Sequence, residues 1–336
     1  MATTNTRYVD PNAPVGGDGT TNSIEVDDPH CAYKSLAIWE AARQADLVTG
    51  DIIEKAICSS DDAGSTHLAD TTALTIEGWT TDATRYVQIE AASSHGGKWD
   101  DTIYSMSFAG KIVDVEESYV NVIGLQIQVP TVSWKVLAYV GASAGVVNFD
   151  KCIFRCFNQQ LNGDNIGIQV YRYGSGIVVN VTNSLFYDFN YSGVYGVGCR
   201  CDYNNQTLNI ANCTFHNVCK PILQTAGTCT ATNCGFSSAI TPISGTVAQT
   251  TCSASTPTFV DADSDDFHLA STDTTWKNQG TDLSADFTDD IDGETRSAWD
   301  IGCDEYVSGA AAVFYFGDRS GGLQNPFATG FTGGLR

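Results

Sequence analysis

Apolar and polar positions alternate with period two in Val147-Asn148-Phe149-Asp150, break phase at Lys151, and resume as Cys152-Ile153-Phe154. The pattern returns from Val179 to Phe186, from Leu208 to Phe215 and from Cys229 to Phe236, with a weaker forerunner from Val120 to Ile127. Successive copies start 27, 32, 29 and 21 residues apart, which is the spacing of solenoid coils. Alternation places Val179 and Val181 on one face of a strand and Asn180 on the other. The phase break at Asn183, Asn212 and Asn233 marks a turn, because Asn tolerates the left-handed region and can bond its own backbone. In stacked coils these three side chains would lie one above another as an amide ladder. Beyond the turn, Phe154, Phe186, Phe215 and Phe236 point inward as one stack. Cys152, Ser184, Cys213 and Cys234 lie beside them as small core residues.

A third strand per coil is predicted at Ile166 to Tyr171, Gly193 to Val197 and Pro221 to Leu223, each followed by a polar or Gly-rich loop. Upstream, Ser35 caps a helix carrying Leu36, Ile38, Trp39, Ala41, Ala42 and Ala45, and a Gly50-Asp51 turn leads into a strand from Ile52 to Ile57. That helix would plug one open end of the solenoid, whose sheet edges need cover. The predicted fold is all-β: a right-handed parallel β-helix with an N-terminal capping helix and a C-terminal extension. Its divisions are an opening segment and capping helix (1–60), β-helix coils (61–255), a closing segment (256–306) and a Gly/Phe-rich tail (307–336).

The order Gly16-Gly17-Asp18-Gly19-Thr20, Tyr33-Lys34-Ser35-Leu36, Gly50-Asp51 resembles the start of pectate-lyase-like β-helix proteins. The end is more similar still: Pro257-Thr258-Phe259-Val260-Asp261, Asp266-Phe267-His268-Leu269, Asp290 to Arg296, and Trp299-Asp300-Ile301-Gly302-Cys303-Asp304-Glu305-Tyr306. The resemblance covers residues 7–306 and implies a fold rather than an activity, since this architecture carries lyases, hydrolases, adhesins and virus spikes alike.

The 336 residues hold 17 Lys and Arg against 39 Asp and Glu, a net charge of −22. Nucleic acid and anionic membranes are excluded as partners, because they require clustered cations. No stretch approaches the ~20 apolar residues that span a bilayer. Met1 to Asp10 has neither the charged nor the apolar region of an export signal. The twelve cysteines form no repeated C-x-x-C, and reduced thiols are expected without export.

Candidate chemistry is sparse. Family enzymes, as the resemblance implies, work in a groove beside one strand face with clustered carboxylates, often Ca²⁺, and an Arg or Lys base. The corresponding loops here offer Tyr171, Arg172 and Tyr173, then Arg200, Asp202 and Tyr203, then Lys220 and Gln224. One Asp among scattered cations does not make such a site, whereas tyrosines beside polar groups suit sugar binding. Asp261, Asp263 and Asp265 are candidate Ca²⁺ ligands, as is the run Asp289-Asp290-Ile291-Asp292, though neither has the bidentate Glu at EF-hand spacing. The histidines are dispersed, and His216 is expected on the exposed outer wall.

The expected function is a non-catalytic structural or attachment protein of a virion, of decoration, head-fibre or tail-spike type. The alternatives are a polysaccharide lyase or glycoside hydrolase, or a surface adhesin. It would be made in the host cytoplasm and located in the virion, or alternatively outside the cell. Phe314, Phe316, Phe327 and Phe331 are the expected anchors to other virion proteins, within a homo-oligomer such as a trimer.

Overall fold

The computed structural model describes residues 2–60, 67–130, 135–156, 165–172, 176–190 and 195–308. Among these, three all-parallel sheets of nine, six and seven strands stack coil upon coil as a parallel β-helix. The first sheet runs from Thr3–Val9 through Ile52–Cys58, Val87–Ala91 and Val120–Ile123, then Val146–Asp150, Val178–Thr182, Thr207–Ala211 and Thr228–Thr232, to Ala248–Thr250. The second runs from Ser105–Ser107 to Gly235–Ser237, and the third from Leu74–Ile76 to Ile243–Ser244.

Register follows the sequence repeat residue for residue. Val147 pairs with Val120 and Val179, Val179 with Leu208, and Leu208 with Cys229, so one inward column is continuous. Phe154, Phe186, Phe215 and Phe236 stack with ring centroids 4.8, 4.8 and 5.7 Å apart and at most 2% exposed. The first two spacings equal the strand separation, so backbone pairing and ring stacking reinforce each other. Beside them the Ser184 hydroxyl donates to the Thr182 carbonyl and accepts from the Cys152 N–H, which lets a polar side chain occupy the cysteine column. Burial holds the Cys213 and Cys234 thiols well above their ordinary pKa, and all twelve cysteines are free thiols.

The amide ladder lies elsewhere than predicted. Asn183, Asn212 and Asn233 do occupy the left-handed region, with φ of 46, 47 and 51°. Only Asn233 bonds its neighbour directly, to Asn212 at 3.1 Å, because Asn183 and Asn212 turn toward the closing segment. The longer ladder is on the outer face of the first sheet, where Asn148, Asn180 and Asn209 each donate one coil back, at 2.7 to 3.0 Å, and Thr230 donates to Asn209.

Three further differences have local causes. Thr3–Val9 is a strand despite its polar alternation, because all seven residues pair in register with Ile52–Cys58. The third strand expected to end at Val197 instead begins there and runs to Cys201. Gly196, at φ 114°, makes the turn before it; a side chain would collide with the Phe189 carbonyl. Arg200 and Cys201 therefore belong to a strand rather than a loop, with Cys201 inward. Finally, the closing segment packs along the outer face of the second sheet. Phe267, Ile291 and Cys303 cover Ile153, Leu185 and Tyr187, and the Trp276 ring lies where a Cβ of Gly235 would be. His216, predicted on an exposed wall, is consequently half-buried against Phe259 and Phe267.

At the other end, Ser35 Oγ accepts from the Ile38 N–H and caps helix Leu36–Arg43, which buries Leu36 and Trp39 completely.

Two outcomes follow. Phe186→Ala removes a ring stacked on both sides and should cost about 3–5 kcal/mol in urea unfolding. Reductant should leave the melting temperature unchanged, since there is no disulfide to lose.

Candidate functional site

The outer face of the third sheet carries the predicted groove residues. In-register pairing lines up Asp114, Tyr139, Gln169, Arg200 and Leu223 on consecutive strands. Just beyond the strand ends, Tyr171 leans on Tyr139 (centroids 5.9 Å apart) and on Tyr203 (4.8 Å), so three tyrosines from three coils form one strip. The Tyr139 hydroxyl donates to the Tyr171 carbonyl at 2.7 Å, which fixes the register of the two rings. Tyr171 is 39% exposed and presents the strip to solvent.

Charges beside the strip are paired internally. Arg172 binds Glu116 at 2.8 Å and the Gly141 carbonyl at 2.6 Å. Arg200 binds Asp202 at 2.7 Å, and Asp202 also accepts from Gln169 and Thr225. Lys111 pairs with Asp114 and lies 4.2 Å from the Tyr139 ring centroid, a cation–π contact. Burial, with the charges of Glu116 and Asp114, pushes the Tyr139 phenol up to about 12. Burial and Asp114 likewise raise Glu116, although Arg172 opposes them.

The structure thus brings together Tyr171, Arg172, Arg200, Asp202 and Tyr203. Tyr173 lies outside the described residues, as do Phe314, Phe316, Phe327 and Phe331. Lys220 begins its strand and Gln224 ends it, so about 13 Å of strand separates them. Gln224 turns to the Gly227 carbonyl instead of the strip. Sequence reading missed Tyr139, Lys111 and Glu116. Tyr139 was legible as the polar position of Val136–Val140, but only coil stacking brings its ring against Tyr171.

A second cluster lies in the closing segment. His268 Nδ1 is 2.6 Å from Asp266 and its Nε2 is 3.2 Å from Asp292. Ligand atoms of His268, Asp292 and Asp304, and separately of Asp290, Asp292 and Glu294, lie within 4.8 Å of one another, so either set could hold a divalent cation. Asp290 and Asp292 come from the acidic run read in the sequence; His268 was passed over there because Asp292, the partner that completes the cluster, lies 24 residues further along the chain. Asp261, Asp263 and Asp265 are not among the converging groups of the described residues. Asp261 accepts from Ser264, while Asp265 faces Arg155 at 3.6 Å and accepts from Tyr187.

The protein's own groups already balance the charge in this cluster. Burial alone would lower His268, but hydrogen bonds to Asp266 and Asp292 and the charge of Asp304 raise it to about 11. Burial and Asp292 raise Asp290, while burial raises Asp304 to about 7. The His268 ring, held between the Asp266 and Asp292 carboxylates, ties strand Asp266–Leu269 to the Asp290–Asp292 turn.

The pH dependence follows from these directions. The His268 contribution is complete below its ordinary value of 6.5 and is lost as pH rises toward about 11. Asp290 and Asp304, with raised native pKa, also favour the unfolded state increasingly as pH climbs from about 4. Asp266 is lowered by its hydrogen bond to His268, so its contribution is lost only as pH falls below about 4. The melting temperature should therefore peak between about pH 4 and 6.5 and decline on the alkaline side. His268→Gln should lower the peak and flatten the decline, as read by calorimetry across a pH series.

A scan against models of protein families finds no match, and searches of curated proteins and of solved structures find none either.

Proposed function

We propose that the protein is a non-catalytic structural or attachment component of a virion, whose solenoid presents the Tyr139–Tyr171–Tyr203 strip to a glycan. The observation that carries this reading is the strip itself: three rings from successive coils at 4.8 and 5.9 Å spacing, flanked by hydrogen-bonding groups. Aromatic faces take up the apolar faces of sugar rings, and the fixed amide and guanidinium groups beside them give orientation. Binding without cleavage is favoured because the strip's charges are engaged with one another. Arg200 is held by Asp202 and Arg172 by Glu116, which engages these carboxylates in ion pairs. The net charge of −22 favours neutral over acidic glycans. A pectate-lyase-like ancestry fits the solenoid and the closing motif. The segment carrying Phe314, Phe316, Phe327 and Phe331 is the proposed link to other virion proteins.

The test is a panel of neutral and acidic oligosaccharides scored for binding and for new reducing ends. Neutral glycans should bind without turnover, and Tyr171→Ala with Tyr203→Ala should weaken binding at least tenfold, about 1.4 kcal/mol. Cleavage that disappears in Asp202→Ala would overturn the reading in favour of a lyase or hydrolase.

A further inference from the structure

The closing segment brings one histidine and two carboxylates to a common point. Ligand atoms of His268, Asp292 and Asp304 lie within 4.8 Å of one another. They come from strand Asp266–Leu269, from the turn after Asp290 and from the end of the segment, so no short motif announces them. Separate contacts hold them in place. Asp266 lies 2.6 Å from His268 Nδ1, and a proton kept there turns the Nε2 lone pair toward Asp292, 3.2 Å away. Metal-binding histidines are oriented in the same way, by a carboxylate on the ring nitrogen that faces away from the ion. Asp304 is 6% exposed, and its Oδ2 accepts the Leu269 N–H at 2.6 Å.

One oxygen at this point is orphaned and one nitrogen is kept uncovered. Asp292 Oδ1 is shielded from solvent and has no nitrogen or hydroxyl donor. The Asp290 carboxyl adjoins the Asp292 carboxylate, and two adjoining carboxyls need a proton or a cation to offset them. On the histidine side, Gly97 stands at φ 69°, where an added Cβ would lie 2.6 Å from His268 Nε2. The Gly97 N–H donates to His95 Nδ1 at 3.1 Å, which fixes the glycine there. A cavity of about 160 Å³, lined by Ser94, His95, Lys151, Asp292 and Gly293 among others, adjoins the cluster. It has room for a water molecule, of about 30 Å³, to complete a coordination shell.

We infer that His268 Nε2, Asp292 and Asp304 bind one divalent transition-metal ion, represented by Zn²⁺, which staples the closing segment. Nitrogen and oxygen ligands sit about 2.0–2.2 Å from Zn²⁺ and so at most about 4.4 Å apart. A set already within 4.8 Å closes on the ion with shifts of a few tenths of an ångström. The imidazole favours such an ion over Ca²⁺ and Mg²⁺, which take oxygen ligands. The neighbouring set Asp290, Asp292 and Glu294 is all oxygen, but both Asp290 oxygens already accept backbone N–H groups, from Glu294 and Glu305. A chain of net charge −22 also draws cations to its surface. In the metal-free protein a proton on Nε2 takes the place of the ion, and metal binding releases it. The ion joins the strand, the turn and the end of the segment through one centre.

Full-length protein stripped with EDTA is titrated with Zn²⁺, and calorimetry reads the melting temperature. Zn²⁺ should bind one to one and raise the melting temperature by about 4 °C at a hundredfold excess over its Kd. Ca²⁺ and Mg²⁺ at the same concentration should not. X-ray absorption at the zinc edge should show one imidazole in the coordination shell, a readout that needs no variant. Asp304→Asn keeps an oxygen for the Leu269 N–H but removes the ligand charge, and should weaken Zn²⁺ binding at least tenfold. Asp263→Asn, in the exposed acidic run, should leave binding unchanged. A Ca²⁺ response equal to that of Zn²⁺ overturns the inference, by assigning the cation to the all-oxygen set. A zinc spectrum without imidazole, equal weakening by Asp263→Asn, or no thermal shift at millimolar Zn²⁺ overturns it as well.

Discussion

From strand Val120–Ile123 onward the chain leaves the first sheet through a single left-handed residue in each coil. Gly124, Lys151, Asn183, Asn212, Asn233 and Thr251 have φ of 69, 54, 46, 47, 51 and 51°. Each of the first five donates its N–H to a carbonyl of the next coil, at 2.9 to 3.2 Å. The stack leaves no freedom of register. If one coil slipped by a residue, every inward side chain would face solvent and the left-handed turn would fall on a residue that resists it. The phenylalanine stack, the cysteine column and the outer amide ladder all follow from that one repeated turn.

The same constraint builds the surfaces. Because strands of the third sheet are held in register, outward residues from different coils form rows, and Tyr139, Tyr171 and Tyr203 meet although 64 residues separate the first from the last. The closing segment uses the rows on the second sheet in the same way. Arg296 reaches Asn183 at 2.9 Å and the Cys303 carbonyl at 2.8 Å, while Glu305 accepts from the Ser297, Ala298 and Asp300 N–H groups. Asp290 accepts the Glu294 and Glu305 N–H groups of the same loop, and Asp300 accepts those of Tyr306 and of Asn278 in the preceding loop. The acidic residues of the Asp290 to Glu305 motif therefore work mainly as acceptors for a loop with little secondary structure. This satisfies backbone groups that burial would otherwise leave unpaired.

A solenoid of this kind separates stability from recognition. The core is a continuous column that tolerates variation in the third-sheet loops, where coil spacing changes from 32 to 21 residues without disturbing the inward register. The tyrosine strip sits at those loops, so its chemistry can change while the stack beneath it is conserved in form. The acid–histidine cluster belongs to the other side, where it ties the closing segment down.

The sequence by itself determined the coils. Val179 to Phe186 and its copies state strand, turn and inward face locally, because alternation and a left-handed Asn are properties of neighbouring residues. The Ser35 cap was legible for the same reason. Contacts across coils and across the long closing segment were decided only by the tertiary structure. Asn148 and Asn209 lie 32 and 29 residues from Asn180, Tyr171 32 from Tyr139, Phe267 51 from His216 and Asp292 24 from His268, and nothing beside these residues in the chain names those contacts. Strand Thr3–Val9 carries too few apolar residues to reveal itself and exists because Ile52–Cys58 supplies its hydrogen bonds. Local pattern fixed which way each side chain points; which neighbour it meets depended on how many residues each loop spends before the next coil begins.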